Sequence, residues 1–400
     1  RMNNWTAWIT QNVLLSVFTL PTSLPLRRSV LPKALKSLDA FLKDYAEDGA
    51  CEEGVVYYRH AGLCLFGAMA VLDQVSPELV GPLWSEPKIR NMAEFICHMH
   101  VDGDYYINFA DSSAVVPPCG AREFLFGRAV GSQRLMDLAA SDVRRDDNRL
   151  MPGEWNLWYR VQAILSVSEI LERQSEAPAA CDHYFPGTGL AIARDGHFAL
   201  AVKGGHNGES HNHNDVGSVT LYKDGQPILI DVGVETYTAK TFSPRRYEIW
   251  TMQSAYHNLP TFDGVMQQDG EGFRAGAMDV HFGADAAEVT LDIAGAYPAE
   301  AELHRYRRQV RLLRGRHVEI RDDYEGGRPA TLSLMTLIEP EVEAGVIRLG
   351  ERAEIRVDGA GAIVVESLDI ADPRLRQSWP ERIYRLLLPF SGSALTLTII

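Results

Sequence analysis

Two histidines and a carboxylate stand close together in the run His211-Asn212-His213-Asn214-Asp215. Imidazole is the most common neutral metal ligand and the usual proton donor or acceptor near neutral pH. In an extended segment, His211 and His213 would fall on the same face of the backbone. The run therefore predicts a site in which one histidine binds a metal ion and the other points into the same cavity.

Two further candidate metal ligands, Asp231 and His257, follow His213 along the chain. His213 precedes a predicted strand, and Asp231 ends the partner strand of the same hairpin, whose turn is Asp224-Gly225. Two imidazoles and one carboxylate suit zinc, manganese or iron with an open position, and they disfavour calcium. The alternative is that all three are capping or core residues whose polar groups are satisfied by the backbone.

A second assignment of the metal ligands uses Asp215 in place of Asp231. His213, Asp215 and His257 would then form the two-histidine, one-carboxylate triad of non-haem iron oxygenases. Under that assignment the chain would be an iron oxygenase. The tyrosine-rich segment in the first half of the chain would have no role, so we rank this assignment second.

His211 is the candidate for proton transfer. If a metal ion holds His213, its neighbour is fixed in place and keeps a ring nitrogen for acid or base chemistry. Glu209 or a backbone carbonyl would fix the tautomer of His211. Without an acidic partner in reach, His211 would be only a hydrogen-bonding residue.

A second dense segment, residues 51–62, contains Tyr57, Tyr58, Arg59 and His60 just before a predicted helix. A neighbouring arginine and histidine can lower the pKa of a phenol and prepare it for proton transfer. The alternative is that one tyrosine packs in the core while Arg59 is solvated. The residue types alone leave both interpretations open.

Asn3 and Asn4 stand at the start of the first predicted helix, where an asparagine side chain caps the helix N-terminus. Residues 4–6 also form a glycosylation sequon. Capping is the role that the residue types favour.

The composition is that of a globular protein large enough for two domains. The chain has 400 residues, 46% hydrophobic and 23% charged, with a net charge of -14 that argues against nucleic acid as a partner. No uninterrupted apolar run is long enough to span a bilayer, and no signal peptide is visible. The 5 cysteines are odd in number and lack CxxC spacing, which favours small buried thiols.

The chain divides into a helical first half and a strand-rich second half. Apolar residues at spacings of three and four predict helices over 5–18, 33–45, 59–75, 91–100, 123–140 and 155–171. After the polar stretch 172–182, short β-rich runs predict strands at 190–194, 198–202, 219–222, 228–231, 317–322, 330–338, 353–357, 362–366, 383–389 and 394–399. The pattern predicts helical hairpins followed by an antiparallel sheet or sandwich.

Five stretches together resemble the heparinase II/III-like polysaccharide lyases. They are NNWTAWI, CEEGVVYYRHAG, DGDYYINFAD, GGHNGESHNHNDVGSV and RRYEIWTMQSAYHNLP. The resemblance implies an α+β multidomain fold, with an incomplete N-terminal α/α toroid over 1–178 and an antiparallel β-sandwich over 183–400. It also implies a secreted or periplasmic bacterial protein.

The resemblance also assigns roles to individual residues. It implies metal ligands at His213, Asp231 and His257, with zinc favoured over manganese. It implies acid and base catalysis by His211 and Tyr57, with Tyr58 as the fallback. The remaining assignments are contacts to the substrate: Asn4 on the uronate carboxylate, then Asn3, Arg59, His60, Glu209, Tyr237 and Arg246. Tyr247 competes with Tyr237 as the tyrosine near the metal loop.

The implied activity is β-elimination of an acidic polysaccharide that contains 4-linked uronic acid. Glycosaminoglycans are favoured over alginate as substrates. The competing hypothesis is a binding protein that keeps the fold and the metal but has lost turnover. A glycoside hydrolase would need two carboxylates across one bond, and the adjacent Glu52 and Glu53 are poorly arranged for that.

Overall fold

The chain forms two compact units, each described separately below. The computed structural model describes residues 3–174, 181–392 and 394–400. One unit consists of the described parts of Arg1–His100 and Val116–Ala180, and the other of Val101–Val115 with Cys181–Ile400. The segment Val101–Val115, which the sequence analysis gave to the helical domain, thus belongs to the second unit.

The first unit is built from helices. They are α1 (Asn4–Thr19), α2 (Leu24–Asp44), α3 (Val55–Tyr58), α4 (Gly62–Val75), α5 (Pro77–Val80), α6 (Pro87–Met99), α7 (Ala121–Val130), α8 (Gln133–Arg145) and α9 (Leu157–Glu172). Asn3, Ser23, Ser132 and Asn156 cap α1, α2, α8 and α9 by accepting hydrogen bonds from backbone amides. Five of the six predicted helices are present with shifted ends.

One predicted helix, over 123–140, is wrong because the structure has two helices there. Gly131 ends α7 with φ +71°, a left-handed conformation that favours glycine, and Ser132 caps α8. A Gly-Ser pair within an apolar period of three and four is thus a helix boundary here.

One segment of the described residues, Val55–Val75, has the length and apolar composition to cross a bilayer. Its apolar window is 72% buried inside the protein. Core helices of globular domains meet the same two criteria, and the burial of this segment is that of a core helix.

The second unit contains nearly all of the strands. The strands of the chain are β1 (His100–Asp102), β2 (Tyr105–Tyr106), β3 (His183–Phe185), β4 (Leu190–Arg194), β5 (Phe198–Lys203), β6 (His206–Asn207), β7 (Val219–Lys223), β8 (Gln226–Leu229), β9 (Pro260–Phe262), β10 (Gly270–Arg274), β11 (Met278–Phe282), β12 (Ala286–Asp292), β13 (Leu303–Leu313), β14 (His317–Gly326), β15 (Ala330–Thr336), β16 (Glu341–Glu343), β17 (Val346–Leu349), β18 (Ala353–Asp358), β19 (Val364–Asp369), β20 (Arg382–Phe390) and β21 (Ala394–Ile399). Short 3₁₀ helices lie at Gly81–Ser85, Arg246–Glu248, Trp250–Met252, Ser254–Tyr256, Ala294–Ala296, Ala299–Ala301 and Leu375–Gln377.

Three larger sheets organise this unit. Their strand orders are β3-β4-β5-β7-β8, β19-β20-β15-β9 and β11-β12-β13-β14-β21-β18-β17-β16. Neighbouring strands within each of them are antiparallel, as the alternating sequence pattern predicted. The predicted hairpin turn at Asp224-Gly225 is confirmed, because Lys223 pairs with Gln226 across it. The sheets share one large apolar core, to which β5, β7, β12, β13, β15 and β20 all contribute.

The cysteines are free thiols. Four of them, Cys51, Cys64, Cys97 and Cys119, are buried as expected, whereas Cys181 is exposed. The cysteines therefore form no disulfide framework in the described part of the chain.

Candidate active site and metal centre

The histidine run lies in the loop that connects β6 to β7. His211 has φ +56°, in the left-handed region, so the run is not the extended segment that the sequence analysis assumed. The side chain of His211 is 16% exposed, whereas that of His213 is fully buried. The two imidazoles therefore lie in different surroundings.

Both histidines contact the same carboxylate, that of Asp111. Oδ2 of Asp111 lies 2.6 Å from Nδ1 of His211, and Oδ1 lies 3.2 Å from Nε2 of His213. The side chain of Asp111 has no exposed surface. A buried carboxylate can only accept hydrogen bonds, so it favours the tautomer of His211 that carries its proton on Nδ1. The lone pair of a neutral His211 is then at Nε2.

Two further donors converge on Asp111. Nη2 of Arg246 lies 2.6 Å from Oδ1, and the Tyr237 hydroxyl donates to Oδ2 at 2.9 Å. Burial alone would raise the pKa of the Asp111 carboxyl, but hydrogen bonds with His211 and His213 and the charge of Arg246 hold this pKa well below its usual value. These contacts therefore favour the carboxylate form of Asp111.

The same geometry distinguishes the two candidate tyrosines. The Tyr237 hydroxyl lies 3.2 Å from Nδ1 of His211. The Tyr247 hydroxyl instead accepts a hydrogen bond from the Asn212 amide at 3.2 Å, and burial raises the pKa of its phenol. Tyr237 is thus the tyrosine beside His211.

The three predicted metal ligands come together on the other side of His213. His213, Asp231 and His257 each offer one ligand atom within 4.8 Å of the others, and all three are buried. Nδ1 of His213 and Nε2 of His257 are buried without a hydrogen-bond partner among the described residues. Nδ1 of His257 lies 3.2 Å from Oδ2 of Asp231, without the alignment of a hydrogen bond.

These unpaired nitrogens fit a metal ion. A buried polar atom without a partner costs about 1–3 kcal/mol, and a bound cation would satisfy several at once. Asp231 is held in place because Oδ1 accepts hydrogen bonds from the Gly233 amide at 2.8 Å and from the Asn108 side chain at 3.3 Å. Asp215 is not part of this group, which removes the support for the iron-oxygenase assignment.

A buried ion pair fixes the loops that carry the ligands. Arg308 and Asp322 are each 1% exposed and lie 2.7 Å apart. Nη1 of Arg308 donates at 2.7 Å to the carbonyl oxygens of Gly217 and Asn258. Asn258 follows His257 directly, so the pair restrains the backbone beside a candidate metal ligand.

Glu209, which was predicted to fix the tautomer of His211, pairs with Lys203 instead. Its carboxylate lies 3.2 Å from Nζ of Lys203, and both side chains are 5% exposed. The carboxylate that orients His211 is Asp111 instead.

In the helical unit, the two adjacent tyrosines differ in burial. Tyr58 is fully buried, donates its hydroxyl to the Ala93 carbonyl at 3.0 Å, and has a pKa raised by that burial. Tyr57 is only partly buried. Tyr58 is therefore unsuited as the fallback for acid-base chemistry. Arg59 is not solvated as the alternative supposed, because it pairs with Glu123 at 3.3 Å.

The two asparagines at the start of α1 have separate roles. Asn3 caps the helix, since its side chain accepts a hydrogen bond from the Trp5 amide at 3.2 Å. Asn4 is 5% exposed, and its Nδ2 donates to Glu53 at 2.7 Å. An amide carries two N–H donors, and this bond uses one of them.

A cleft of about 900 Å³ opens in the same unit. Its lining includes Trp8, Arg59, His60, Arg122 and Tyr159. The ring of His60 lies 4.7 Å from that of Trp8, and burial together with the charges of Arg122 and Arg59 lowers the pKa of His60. Aromatic rings beside arginines are the surroundings that suit an anionic sugar.

The sequence model of the C-terminal heparinase II/III-like domain matches residues 177–396. The chain belongs to the heparinase II/III-like family. The resemblance that the five sequence stretches predicted is confirmed, and the matched range contains His211 and all three candidate metal ligands. No curated protein gives a significant match to the sequence.

Several solved structures are similar to this chain in fold. Heparinase III has a TM-score of 0.73 at 14% identity, with 99% of this chain and 61% of that chain covered. A heparan sulfate lyase HepC mutant from Pedobacter heparinus has a TM-score of 0.69 at 16% identity, with 98% and 58% covered. A chondroitin AC lyase from Streptomyces coelicolor A3, in complex with chondroitin sulphate, has a TM-score of 0.57 at 13% identity, with 100% and 60% covered. The chain thus spans about three-fifths of the length of these structures.

Asp111 was not among the site residues predicted from the sequence. It lies about a hundred positions before His211, in a stretch that was assigned to the helical half. The signal was nevertheless present, because Asp111 is the last residue of DGDYYINFAD, one of the five stretches that carry the family resemblance. Asn108, which supports Asp231, stands in the same stretch.

Proposed function

We propose that this protein is a polysaccharide lyase that cleaves 4-linked uronic-acid polysaccharides by β-elimination. The observation that carries the proposal is the 2.6 Å contact between the ionised Asp111 and the partly exposed His211 in a heparinase II/III-like chain. A carboxylate that fixes the tautomer of a histidine prepares its second nitrogen for proton transfer.

β-Elimination requires three things of the protein. The proton on C5 of the uronate must be removed, the negative charge that develops on the carboxylate must be stabilised, and the departing O4 must receive a proton. We assign the two proton transfers to His211 and Tyr57. Each positioned acid or base contributes about 10²- to 10⁴-fold to the rate. Which of the two removes the C5 proton depends on whether the sugar is a glucuronate or its C5 epimer.

Stabilising the uronate carboxylate is the main electrostatic task. We assign it to Asn4, with Arg59, His60 and Asn3 as neighbouring donors. The bond from Asn4 to Glu53 orients the amide and leaves one N–H for a substrate oxygen. Donors aimed at a charge that grows during the reaction lower the barrier directly.

The polar residues around His211 have distinct proposed roles. Tyr237 contacts both His211 and Asp111 and is assigned to the orientation of His211. Arg246 donates to Asp111 and to the carbonyl oxygens of Asn212 and Thr241, so it supports the carboxylate rather than the substrate. Glu209 is assigned a structural role with Lys203.

A divalent metal ion, zinc before manganese, is the proposed ligand of His213, Asp231 and His257. When bound, the ion would have a structural role: it would hold its three ligands together and so fix the loop that carries His211, without contacting the sugar. His213 would use Nδ1 for the metal while Nε2 faces Asp111, the arrangement typical of metal-bound histidines.

The proposed substrates are glycosaminoglycans, ahead of alginate. Two of the similar structures are described as a heparan sulfate lyase and as a chondroitin AC lyase in complex with chondroitin sulphate. In the same proposal, the helical unit is part of an α/α toroid, the sheet unit is an antiparallel β-sandwich, and the protein acts in the periplasm or outside the cell.

The test is a panel of heparan sulfate, chondroitin sulfate, hyaluronan and alginate, with product followed by ultraviolet absorbance of the new double bond. We expect at least one polymer to give a rising signal. Tyr57→Phe and His211→Ala should each lower kcat by about 10²- to 10⁴-fold. Tyr105→Phe and His197→Ala are matched controls, since Tyr105 is a partly buried ring and His197 an exposed one.

Full activity in both the Tyr57 and His211 variants would refute the mechanism. Binding of a polymer without any rise in absorbance would instead favour the non-catalytic binding protein. Loss of activity in the control variants would show that the assay reports folding rather than chemistry.

A further inference from the structure

The segment between β19 and β20, residues 370–379, reaches the acid-base cluster from far along the chain. We name it the bracing segment. Ile370, Leu375 and Trp379 are buried in a small apolar core that also contains Ala114 and Val232. These two partners lie close in sequence to Asp111 and Asp231, so the core fixes the bracing segment against the backbone of both clusters.

Polar contacts add to this attachment. Nε1 of Trp379 donates to the Val232 carbonyl at 2.8 Å, and the Asp372 carboxylate accepts two hydrogen bonds of 3.1 Å from the Thr236 amide. The hydroxyl of Ser378 accepts from the Val115 amide at 3.1 Å. The bracing segment therefore holds the residues that flank Asp111 and Tyr237.

Arg374 extends from this segment onto the cluster itself. Its Nη2 donates to the Asp111 carbonyl at 2.8 Å, and its guanidinium carbon lies 4.7 Å from the centre of the Tyr237 ring. Asp111 and Tyr237 each contact Nδ1 of His211. The Arg374 side chain thus contacts two residues that in turn contact His211.

We propose that Arg374 is a positioning residue for His211, acting through Asp111 and Tyr237. This inference rests on the proposed function, in which His211 transfers a proton. A planar guanidinium can stack on a phenol and donate to a carbonyl at the same time. A lysine ammonium is a compact point charge without the planar guanidinium, so it cannot stack flat on the ring while it donates to the carbonyl. The geometry of the contact, rather than the charge alone, gives Arg374 its effect.

The bracing segment supplies its own control residue, Arg376. It stands two positions from Arg374, lies 3.5 Å from Glu381 and donates to the Trp379 carbonyl at 3.1 Å. Its side chain is 35% exposed. Arg376→Met therefore removes an arginine from the same segment without removing a contact to Asp111 or Tyr237.

The kinetic experiment compares Arg374→Met, Arg374→Lys and Arg376→Met on the polymer that the wild-type protein cleaves. We expect Arg374→Met to lower kcat by roughly ten- to hundredfold with KM unchanged, because misplaced catalytic groups slow the chemical step. Arg374→Lys should fail to restore kcat. Arg376→Met should match the wild type in kcat.

A double-mutant cycle tests the route of the effect. If Arg374 acts through Tyr237, Arg374→Met should lower kcat less in a Tyr237→Phe background than in the wild type. An equal reduction in both backgrounds, an unchanged kcat, full rescue by lysine, or an equal loss in Arg376→Met would each overturn the proposal.

A structural measurement keeps the proposal separate from the proposed function. In a crystal structure of Arg374→Met, the Asp111 carboxylate should have moved away from Nδ1 of His211, which lies 2.6 Å from it in the wild type. Retention of the wild-type contact would refute positioning by Arg374. A wild-type protein that cleaves no polymer would refute the lyase proposal, and this measurement would still decide the role of Arg374.

Discussion

The two sides of the Asp111 carboxylate form two different environments from the same residue types. On one side, Oδ2 meets His211, which is 16% exposed, and on the other, Oδ1 meets the fully buried His213. Because the backbone at His211 is left-handed, the side chains of His211 and His213 do not share one face and lie in different surroundings. Two histidines at a spacing of two can therefore have unrelated roles when the backbone between them is not extended.

The two sides also differ in how their polar atoms are satisfied. On the side of His211, the Tyr237 hydroxyl adds a hydrogen bond to Oδ2, and on the other side Arg246 adds one to Oδ1. On the side of His213, ring nitrogens of His213 and His257 are buried without hydrogen-bond partners in the described residues. The unpaired buried nitrogens are the observation behind the proposed metal site, and the hydrogen bonds that Asp111 accepts are the observation behind the proposed acid-base role of His211.

The largest effect is expected from Asp111→Asn, because Asp111 contacts both His211 and His213. The amide cannot accept the full set of hydrogen bonds and leaves Arg246 without its buried partner. We expect kcat to fall by about 10²- to 10⁴-fold. The free energy of unfolding should fall by about 3–5 kcal/mol, the range for a broken buried ion pair. Steady-state kinetics and urea unfolding measure the two losses; a variant with wild-type values in both would remove Asp111 from the site.

His257→Ala should disrupt the candidate metal site and leave the contacts of His211 unchanged. It removes a ligand and leaves Asp231 buried without its neighbour, so we expect loss of the bound metal and a destabilisation of about 3–5 kcal/mol. Metal content by mass spectrometry and urea unfolding test this. The exposed His197 provides the control, His197→Ala, in which both values should remain those of the wild type. Retained stoichiometric metal in His257→Ala would contradict the assignment.

Tyr237→Phe should affect only the acid-base side. It removes the hydroxyl that donates to Asp111 at 2.9 Å but keeps the ring under Arg374. A hydrogen bond to a charged group is worth about 1.5–3 kcal/mol, so we expect kcat to fall by roughly tenfold or more. Metal content should be unchanged, and a loss of metal here would mean that the two sides are not separable.

The smallest effect is expected from Tyr247→Phe, which tests whether Tyr237 rather than Tyr247 supports His211. Its hydroxyl contacts the Asn212 amide rather than Asp111. The expected loss is about 0.5–1.5 kcal/mol of stability, the range for a neutral hydrogen bond. Activity should remain within about twofold of the wild type. A kcat as low as that of Tyr237→Phe would reverse the assignment of the two tyrosines.

Much of the fold follows from patterns that are local in sequence. The apolar period predicted α1, α4 and α9, and alternation with Asp-Gly turns predicted the hairpins of β4 with β5 and of β7 with β8. The ends of the elements depended on single residues, such as Gly131, which ends α7. The spacing of the apolar residues does not indicate such an end. Local periodicity thus gives the kind of element better than its limits.

The candidate site was predictable where its residues flank one hairpin. His213 and Asp231 bracket β7 and β8, so strand pairing brings them together, and His257 follows shortly afterwards. Asp111 has no such neighbour in sequence, and its contact with His211 depends on long-range folding. Glu209 was considered as the partner of His211 because it is near in sequence, but it pairs with Lys203.

The path of the chain through Val101–Val115 has a practical consequence for dissecting this protein. The family match begins at residue 177, yet the segment that carries Asn108 and Asp111 lies well before that position and belongs to the same unit. A gene fragment cut at the apparent domain boundary would encode His211 and all three candidate metal ligands but not the carboxylate between His211 and His213. Expression trials or domain exchange with a relative therefore need two separate stretches of sequence, because the residues of this site come from two segments that are far apart in the chain.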